Sequence, residues 1–245
     1  RVFRSTRPTN DMVVAAAPDL RIHESRIGDS AFRLAATKLS PATVDSIIAD
    51  VSRIQALYGA WFGPVSGDML LVASDRDEGG GYARMGGAFL AGLEDDAYHA
   101  RHTDYLRYLG HELAHLWWYR ADTSSWEDWL NESMAELSAL MAVRELVGPA
   151  EFGRRLVAKR EAATGTAPIR GFDRSGDDAR TILYSSGPVL LAELEARIGR
   201  DGLRTLARRL VEREVATTAG LLDTLEELEG AGVRQWLQAR LRDGN

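Results

Sequence analysis

Apolar residues come in short runs in the first part of the chain. The runs at 12–17 and 31–34 alternate in places with polar residues and predict short strands, and the run at 68–74 predicts a buried strand. Residues 85–91 predict one more strand, which Gly86 and Gly87 weaken. This part of the chain therefore predicts a structure that contains a sheet.

Helical spacing of apolar residues begins near residue 40 and dominates the second half. Ser40-Pro41 is typical of a helix start, because proline fits the first helical position, and the spacing then continues to Gly59. Two more helices are predicted at 105–118 and 129–147. From Gly148 onward the pattern is helical, with breaks predicted at Gly165, Gly187-Pro188, Gly199, Gly220 and Gly230. The predicted fold class is α+β, a mixed α/β lobe followed by an all-α lobe.

Composition restricts the classes of function. The 245 residues are 45% apolar and 27% charged, which is typical of globular proteins, and the formal net charge is −6. Nucleic-acid binding needs a clustered basic face, and the arginines here are scattered, so we expect no nucleic-acid partner. No apolar stretch reaches the roughly 18 residues that span a bilayer. Because cysteine is absent, any metal must bind to nitrogen and oxygen.

One short motif carries metal chemistry. His111-Glu112-Leu113-Ala114-His115 has the spacing H-E-x-x-H and falls on a predicted helix. Residues four apart project from one helix face, so both imidazoles can bind a single zinc ion. Glu112 stands beside the first ligand, where its carboxylate can act on water without binding the metal. The alternative interpretation is a pair of satisfied interior histidines on a core helix.

A third ligand is predicted on the next helix. A catalytic zinc has three protein ligands and one open position. Sixteen residues separate His115 from Glu132, which lies in the first turn of the helix predicted at 129–147. A short connection turns that helix antiparallel to the first, so Glu132 can approach the two histidines. The alternative is a first-turn acid that the helix dipole favours.

Glu136 lies one helical turn after Glu132 and on the same face. We predict that it accepts a hydrogen bond from an imidazole N–H in the second shell of the metal, which fixes the tautomer of that ligand. The alternative is an exposed helix acid.

These motifs resemble the aminopeptidase N family of zinc metallopeptidases, the gluzincins. Residues 111–117 match that family's H-E-L-A-H-x-W, and 129–132 match the first four letters of its W-L-N-E-G. Ser133 replaces the glycine, and the segment between the second histidine and the glutamate is two residues shorter. The resemblance covers residues 45–245.

The resemblance implies a thermolysin-like catalytic domain acting on a peptide or protein substrate. It implies one zinc ion per chain on His111, His115 and Glu132, with Glu112 as general base. Residues 1–40 then correspond to the tail of a preceding β-rich domain, 41–120 to the α/β lobe with the active-site helix, and 121–245 to the helical lobe. We expect the chain to be a catalytic fragment of a longer parent chain with further domains.

A second segment resembles the same family. Tyr184-Ser185-Ser186-Gly187-Pro188 is similar to its Y-x-K-G-A, which implies that the Tyr184 hydroxyl stabilises the tetrahedral oxyanion. Ser186 replaces the lysine. The alternative for Tyr184 is a core tyrosine with a locally satisfied hydroxyl.

The departure that matters most for specificity lies at 83–87. The family's G-A-M-E-N loop supplies a glutamate for the substrate's α-ammonium, and the matching Ala83-Arg84-Met85-Gly86-Gly87 has no acid. No acidic residue occurs between Glu78 and Glu94. Three possibilities follow: an aminopeptidase with its amine anchor elsewhere, an endopeptidase of the same fold, or a zinc-bearing but catalytically idle module that binds peptides or a partner.

Overall fold

A computed structural model describes residues 16–27, 30–65, 68–74, 82–84 and 87–243. The chain divides into two compact units, one formed by residues 1–48 and 66–102 and the other by 49–65 and 103–245. Most of the strand predicted at 12–17 lies outside the described residues. Within the described part, no helix is long and apolar enough to cross a membrane.

The first unit contains a sheet of five described strands in the order β1-β2-β3-β5-β4. The strands are β1 Arg21–Ile27, β2 Ser30–Ala36, β3 Met69–Ser74, β4 Tyr82–Arg84 and β5 Gly87–Ala91. Strands β2, β3 and β5 are parallel, while β1 and β4 pair antiparallel at the two edges. In β2 the alternation predicted at 31–34 is confirmed, because Phe32 and Leu34 are buried while Ala31 and Arg33 are half-exposed.

The strand predicted at 85–91 is confirmed over Gly87–Ala91, and strand β4 was not predicted. Strand β4 pairs with β5 as a hairpin, with Ala83 opposite Ala88 and Arg84 opposite Gly87. The connecting residues 85 and 86 lie outside the described residues.

The first helix begins where proline predicts. Helix α1 spans Pro41–Phe62, and the carboxylate of Asp95, at the start of α2 (Asp95–Ala100), accepts the backbone N–H of Ser40 at 3.0 Å. This hydrogen bond lowers the pKa of Asp95 below its ordinary value. Thr43 Oγ1 lies 3.1 Å from His99 Nε2, so both ends of α2 contact the start of α1.

Helices build the second unit. They are α3 His102–Ala114, α4 Trp129–Leu146, α5 Pro149–Ala163, α6 Ala179–Thr181, α7 Gly187–Glu212, α8 Thr218–Glu229 and α9 Ala231–Asp243, with a 3₁₀ turn at Trp126–Asp128 and a π-helical turn at Ile182–Ser186. The α+β class, with a helical second half, is confirmed. The predicted domain boundaries at residues 40 and 120 stay predictions.

Several predicted helix ends need correction. Helix α3 ends at Ala114 rather than at Trp118, because Leu116 and Trp117 close tighter turns onto Leu113 and Ala114. Breaks at Gly165, Gly199 and Gly230 are confirmed; at Gly199 the backbone leaves helical geometry inside α7, with φ 80°. No break occurs at Gly187-Pro188 or Gly220. Proline is tolerated in the first turn of α7, and the backbone N–H of Gly220 is capped by Thr217 Oγ1.

A small residue brings α3 and α4 close together. A Cβ atom on Gly110 would lie 3.2 Å from the Cα of Ala139 and 3.1 Å from the Tyr58 hydroxyl, which donates to the Gly110 carbonyl at 2.9 Å. The histidines of α3 follow directly after this contact, and the acids of α4 lie one to two turns before it. The helices are therefore antiparallel, as predicted.

Candidate metal centre

The three predicted metal ligands converge on one point. Nε2 of His111 lies 3.2 Å from Nε2 of His115 and 3.3 Å from Oε2 of Glu132, and the His115 nitrogen lies 3.7 Å from the same oxygen. In a tetrahedral zinc site with bonds of 2.0–2.1 Å, neighbouring ligand atoms are about 3.3 Å apart. Among the described residues, this is the only group of three or more histidines and acids with that proximity.

The outer nitrogen of each imidazole faces an acceptor. Nδ1 of His115 lies 2.9 Å from the Trp118 carbonyl, so the proton is on Nδ1 and the lone pair on Nε2. Nδ1 of His111 lies 3.1 Å from Oε2 of Glu136, although its N–H is not aligned for a full hydrogen bond. Both rings present Nε2 to the centre, and His115 has the tautomer that a metal ligand needs.

Unsatisfied polar atoms test whether a metal fits. Within the described part of the chain, His111 Nδ1, Glu112 Oε2 and Glu132 Oε2 are buried and have no hydrogen-bond partner. A buried polar atom without a partner costs about 1–3 kcal/mol. The orphaned oxygen of Glu132 is the atom that faces both imidazole nitrogens. A divalent cation would satisfy it, and the donor set of two nitrogens and one carboxylate oxygen suits zinc.

The pKa values indicate a centre that attracts positive charge. Burial lowers the pKa of His111, but the neighbouring carboxylates of Glu132 and Glu136 outweigh burial and raise it to about 10. Burial raises the pKa of Glu132, yet the neighbouring imidazoles of His111 and His115 lower it to about 2. The pKa of Glu112 rises to about 7, chiefly because the carboxylate is buried.

Glu136 is fully buried and has two cationic partners besides His111. Arg107 Nη1 donates to both of its oxygens at 2.9 Å, and Lys159 Nζ lies 2.7 Å from Oε1. Burial alone would raise the pKa of Glu136, but the contact with His111 and the two cations hold it well below its usual range. The structure thus places this acid directly behind His111.

Tyr184 reaches the centre from the π-helical turn. Its ring lies 5.4 Å from that of His111 between centroids, and its side chain interacts electrostatically with the carboxylate of Glu132. Burial and the charge of Glu132 raise its pKa above the ordinary value. The turn is π-helical because the Gly187 N–H donates to the Ile182 carbonyl, five residues earlier. All five predicted site residues and Glu136 are therefore brought together.

Polar side chains that sequence reasoning missed support these residues. Asn131 stabilises the connection between α3 and α4. Its side-chain amide donates to the Ala121 carbonyl and accepts a hydrogen bond from the Ala121 N–H, both at 3.0 Å. Ser133, in the place of the expected glycine, donates to the Leu183 carbonyl at 2.8 Å. Arg107 lies four residues before His111, so helical spacing could have placed it on the same face.

The expected substrate-amine loop is only partly described. Met85 and Gly86 lie outside the described residues, and Ala83, Arg84 and Gly87 belong to strands β4 and β5. The sequence has no carboxylate in this segment. The segment 83–87 therefore offers no carboxylate to a substrate's ammonium group.

Compared by sequence, the chain matches no protein-family model and no curated protein. By fold, it is similar to the M1 zinc metallopeptidase from Deinococcus radiodurans, with a TM-score of 0.69 at 18% identity over 91% of this chain and 51% of that one. A mutant M1 zinc metallopeptidase of the same organism, bound to a Tyr-Ser-Ala substrate, gives a TM-score of 0.68 at 17% identity over 92% and 52%.

Leukotriene A4 hydrolase from Saccharomyces cerevisiae is also similar, with a TM-score of 0.66 at 16% identity over 89% of this chain and 37% of that one. At these identities the likeness establishes the fold. The thermolysin-like fold class predicted from the sequence is confirmed, and the chain spans about half the length of the Deinococcus enzymes.

Proposed function

We propose that this chain is the catalytic part of a zinc-dependent peptidase, aminopeptidase-like in its active site. The observation that carries the proposal is the convergence of the inner nitrogens of His111 and His115 on the orphaned oxygen of Glu132. Structures of the same fold include zinc metallopeptidases, one of them with a peptide substrate. A zinc ion on these ligands would supply Lewis-acid polarisation of the scissile carbonyl and a lower pKa for water.

In this proposal Glu112 is the general base. Its side chain is buried, and Oε2 is free of hydrogen bonds from the described residues. A carboxylate in that state accepts the proton of the attacking water and passes it to the leaving amine.

Tyr184 is the proposed oxyanion stabiliser. Its ring lies beside His111 and its side chain interacts with Glu132, so its hydroxyl is a donor available to the oxygen on which negative charge develops. Glu136 has the proposed role of orienting His111.

The type of peptide cleavage depends on the segment at 83–87. Without an acid there, a substrate ammonium would lose the ionic partner that an aminopeptidase uses. Endopeptidase activity in the same fold is therefore the second candidate. A zinc-bearing module that binds peptides without cleaving them is the third.

The test is digestion of a mixed peptide library, with free or acetylated N-termini, by zinc-loaded protein, read by mass spectrometry. We expect hydrolysis that disappears on chelation and returns with zinc. Removal of single residues from free peptides alone identifies an aminopeptidase whose amine anchor lies outside 83–87.

Internal cleavage of both peptide sets identifies an endopeptidase. Zinc binding with no cleavage of either set contradicts the proposed catalysis and supports the idle binding module. Failure to bind zinc contradicts the metal centre itself.

A further inference from the structure

Lys159 connects two parts of the candidate site from a third helix. It lies on α5, outside every motif that indicates the metal site. Its ammonium is 2.7 Å from Oε1 of Glu136 and donates to the Tyr184 carbonyl at 2.5 Å. Only 16% of the side chain is exposed. One cation therefore contacts both the acid behind His111 and the backbone of the π-helical turn.

The choice of lysine here is unusual for this chain. Of 30 basic residues only Lys38 and Lys159 are lysine, and the rest are arginine. An ammonium is a compact charge with three donors that point in different directions, whereas a guanidinium is a flat fork suited to one carboxylate. A site that must bind a carboxylate and a carbonyl on separate elements favours the ammonium.

The neighbouring polar groups Ser186, Arg107 and Ser133 do not make both of these contacts. Ser186, where the resemblance expects a lysine, has its hydroxyl 2.8 Å from Thr166 Oγ1 and is fully buried. Arg107 donates to the two oxygens of Glu136. The carbonyl of Leu183 accepts from Ser133 instead.

We infer that Lys159 is a positioning residue that couples the metal ligand His111, through Glu136, to the placement of the Tyr184 hydroxyl. It touches neither substrate nor metal. The inference deepens the proposed function and rests on it for the catalytic readout, but its structural and metal-binding readouts are independent of peptidase activity.

The experiment compares Lys159→Met, Lys159→Arg and Arg155→Met in the full chain. Arg155 is the matched control, since it lies one turn earlier on α5 and pairs with Glu151 and Asp104 instead of the site. Zinc affinity is measured by competition with a chromogenic chelator. Amide exchange of residues 182–186 is followed by mass spectrometry, and kcat and KM are measured on a peptide that the wild type cleaves.

For Lys159→Met we expect zinc affinity lower by about tenfold, as for loss of an outer-shell partner, and faster amide exchange at 182–186. We expect kcat to fall by about tenfold or more with KM within about twofold, because the substrate is bound by other groups. Lys159→Arg should keep the zinc affinity, because the charge beside Glu136 remains, and recover only part of kcat. Arg155→Met should leave all of these values unchanged.

A double-mutant cycle separates positioning from general destabilisation. If Lys159 acts through Tyr184, Lys159→Met must lower kcat by a much smaller factor in a Tyr184→Phe background than in the wild type. Equal costs in both backgrounds overturn the inference, and so do zinc affinity and exchange at 182–186 that match Arg155→Met. If the wild type cleaves no peptide, the proposed function fails, while zinc affinity and exchange still decide whether Lys159 couples the two parts.

Discussion

The candidate centre has two sides that are held by different means. On the metal side, His111 and Glu112 project from α3, His115 lies in the turn directly after it, and Glu132 and Glu136 project from α4. On the tyrosine side, Tyr184 lies on a π-helical turn whose carbonyls accept hydrogen bonds from Ser133 and Lys159 of other helices. The first side is fixed by helical periodicity, and the second by tertiary contacts.

This difference predicts how each side responds to mutation. A regular helix fixes the spacing of its side chains without help, so the metal side depends on the ligand residues themselves. A π-helical turn has a less favourable backbone geometry and depends on partners that satisfy it. Mutations of the metal side should therefore act on binding and chemistry, while those of the tyrosine side should also act through residues distant in sequence.

Loss of a ligand should give the largest effect. We expect His115→Ala to lower zinc affinity by more than the roughly 100-fold that loss of an outer hydrogen-bond partner can cause, and to abolish peptide hydrolysis. Chelator competition and the digestion assay measure both. The control is His99→Ala, which removes an exposed histidine of α2 and should alter neither. Unchanged zinc affinity in His115→Ala would contradict the ligand assignment.

Removal of the general base should separate chemistry from metal binding on the same side. For Glu112→Gln we expect unchanged zinc content and a kcat lower by about 10³-fold, because the amide has no carboxylate to accept a proton. Zinc content by elemental analysis and steady-state kinetics test this. Glu161→Gln, at an exposed position of α5, is the matched control. An active Glu112→Gln enzyme would remove Glu112 from the mechanism.

The tyrosine side should respond less strongly. Tyr184→Phe keeps the ring beside His111 and removes the hydroxyl, so we expect kcat to fall by about 10²-fold while zinc affinity stays near the wild-type value. Tyr119→Phe is the control, because Tyr119 is 55% exposed. A fall in zinc affinity without a fall in kcat would indicate that Tyr184 serves the ligand Glu132 and not the oxyanion.

The metal side was predictable from sequence because the spacing of its residues along the chain reveals their positions on the helices. The spacing of His111 and His115, with an acid at the start of the next helix, is visible along the chain, and the structure brings these residues together. The same holds for the α+β class, for the strand at 68–74 and for the start of α1. Each depends on short-range periodicity or on one proline.

The remaining features depend on packing that the sequence does not display. Nothing in the spacing of Lys159 or Ser133 reveals that they bind carbonyls of the π-helical turn, which lie 25 and 50 residues away. Strand β4, which pairs antiparallel with β5, was not predicted from the sequence. Helix α3 was predicted too long because apolar residues continue through Trp118 after the helix has ended.

The smallest expected effect is on stability, and it tests how tightly the two sides fit together. A Cβ atom on Gly187 would lie 1.9 Å from Oγ and 2.6 Å from Cβ of Ser133, so Gly187→Ala forces the two helices apart. We expect a loss of about 1–3 kcal/mol in the free energy of unfolding, the usual cost of overpacking. Gly153→Ala is the control, because a Cβ atom there meets nothing within 4 Å. At this half-exposed helix position the change should be neutral or stabilising by up to about 1 kcal/mol.

The second variant decides whether the contact with Ser133 is the cause. Ser133→Gly removes both clashing atoms and also the hydrogen bond to the Leu183 carbonyl, so alone it should cost about 1 kcal/mol. Added to Ser133→Gly, the change Gly187→Ala should cost much less than it does in the wild type, which denaturant unfolding can measure. Equal costs in the two backgrounds would mean that the glycine is needed by the π-helical turn itself, and that Ser133 is not what links the tyrosine side to α4.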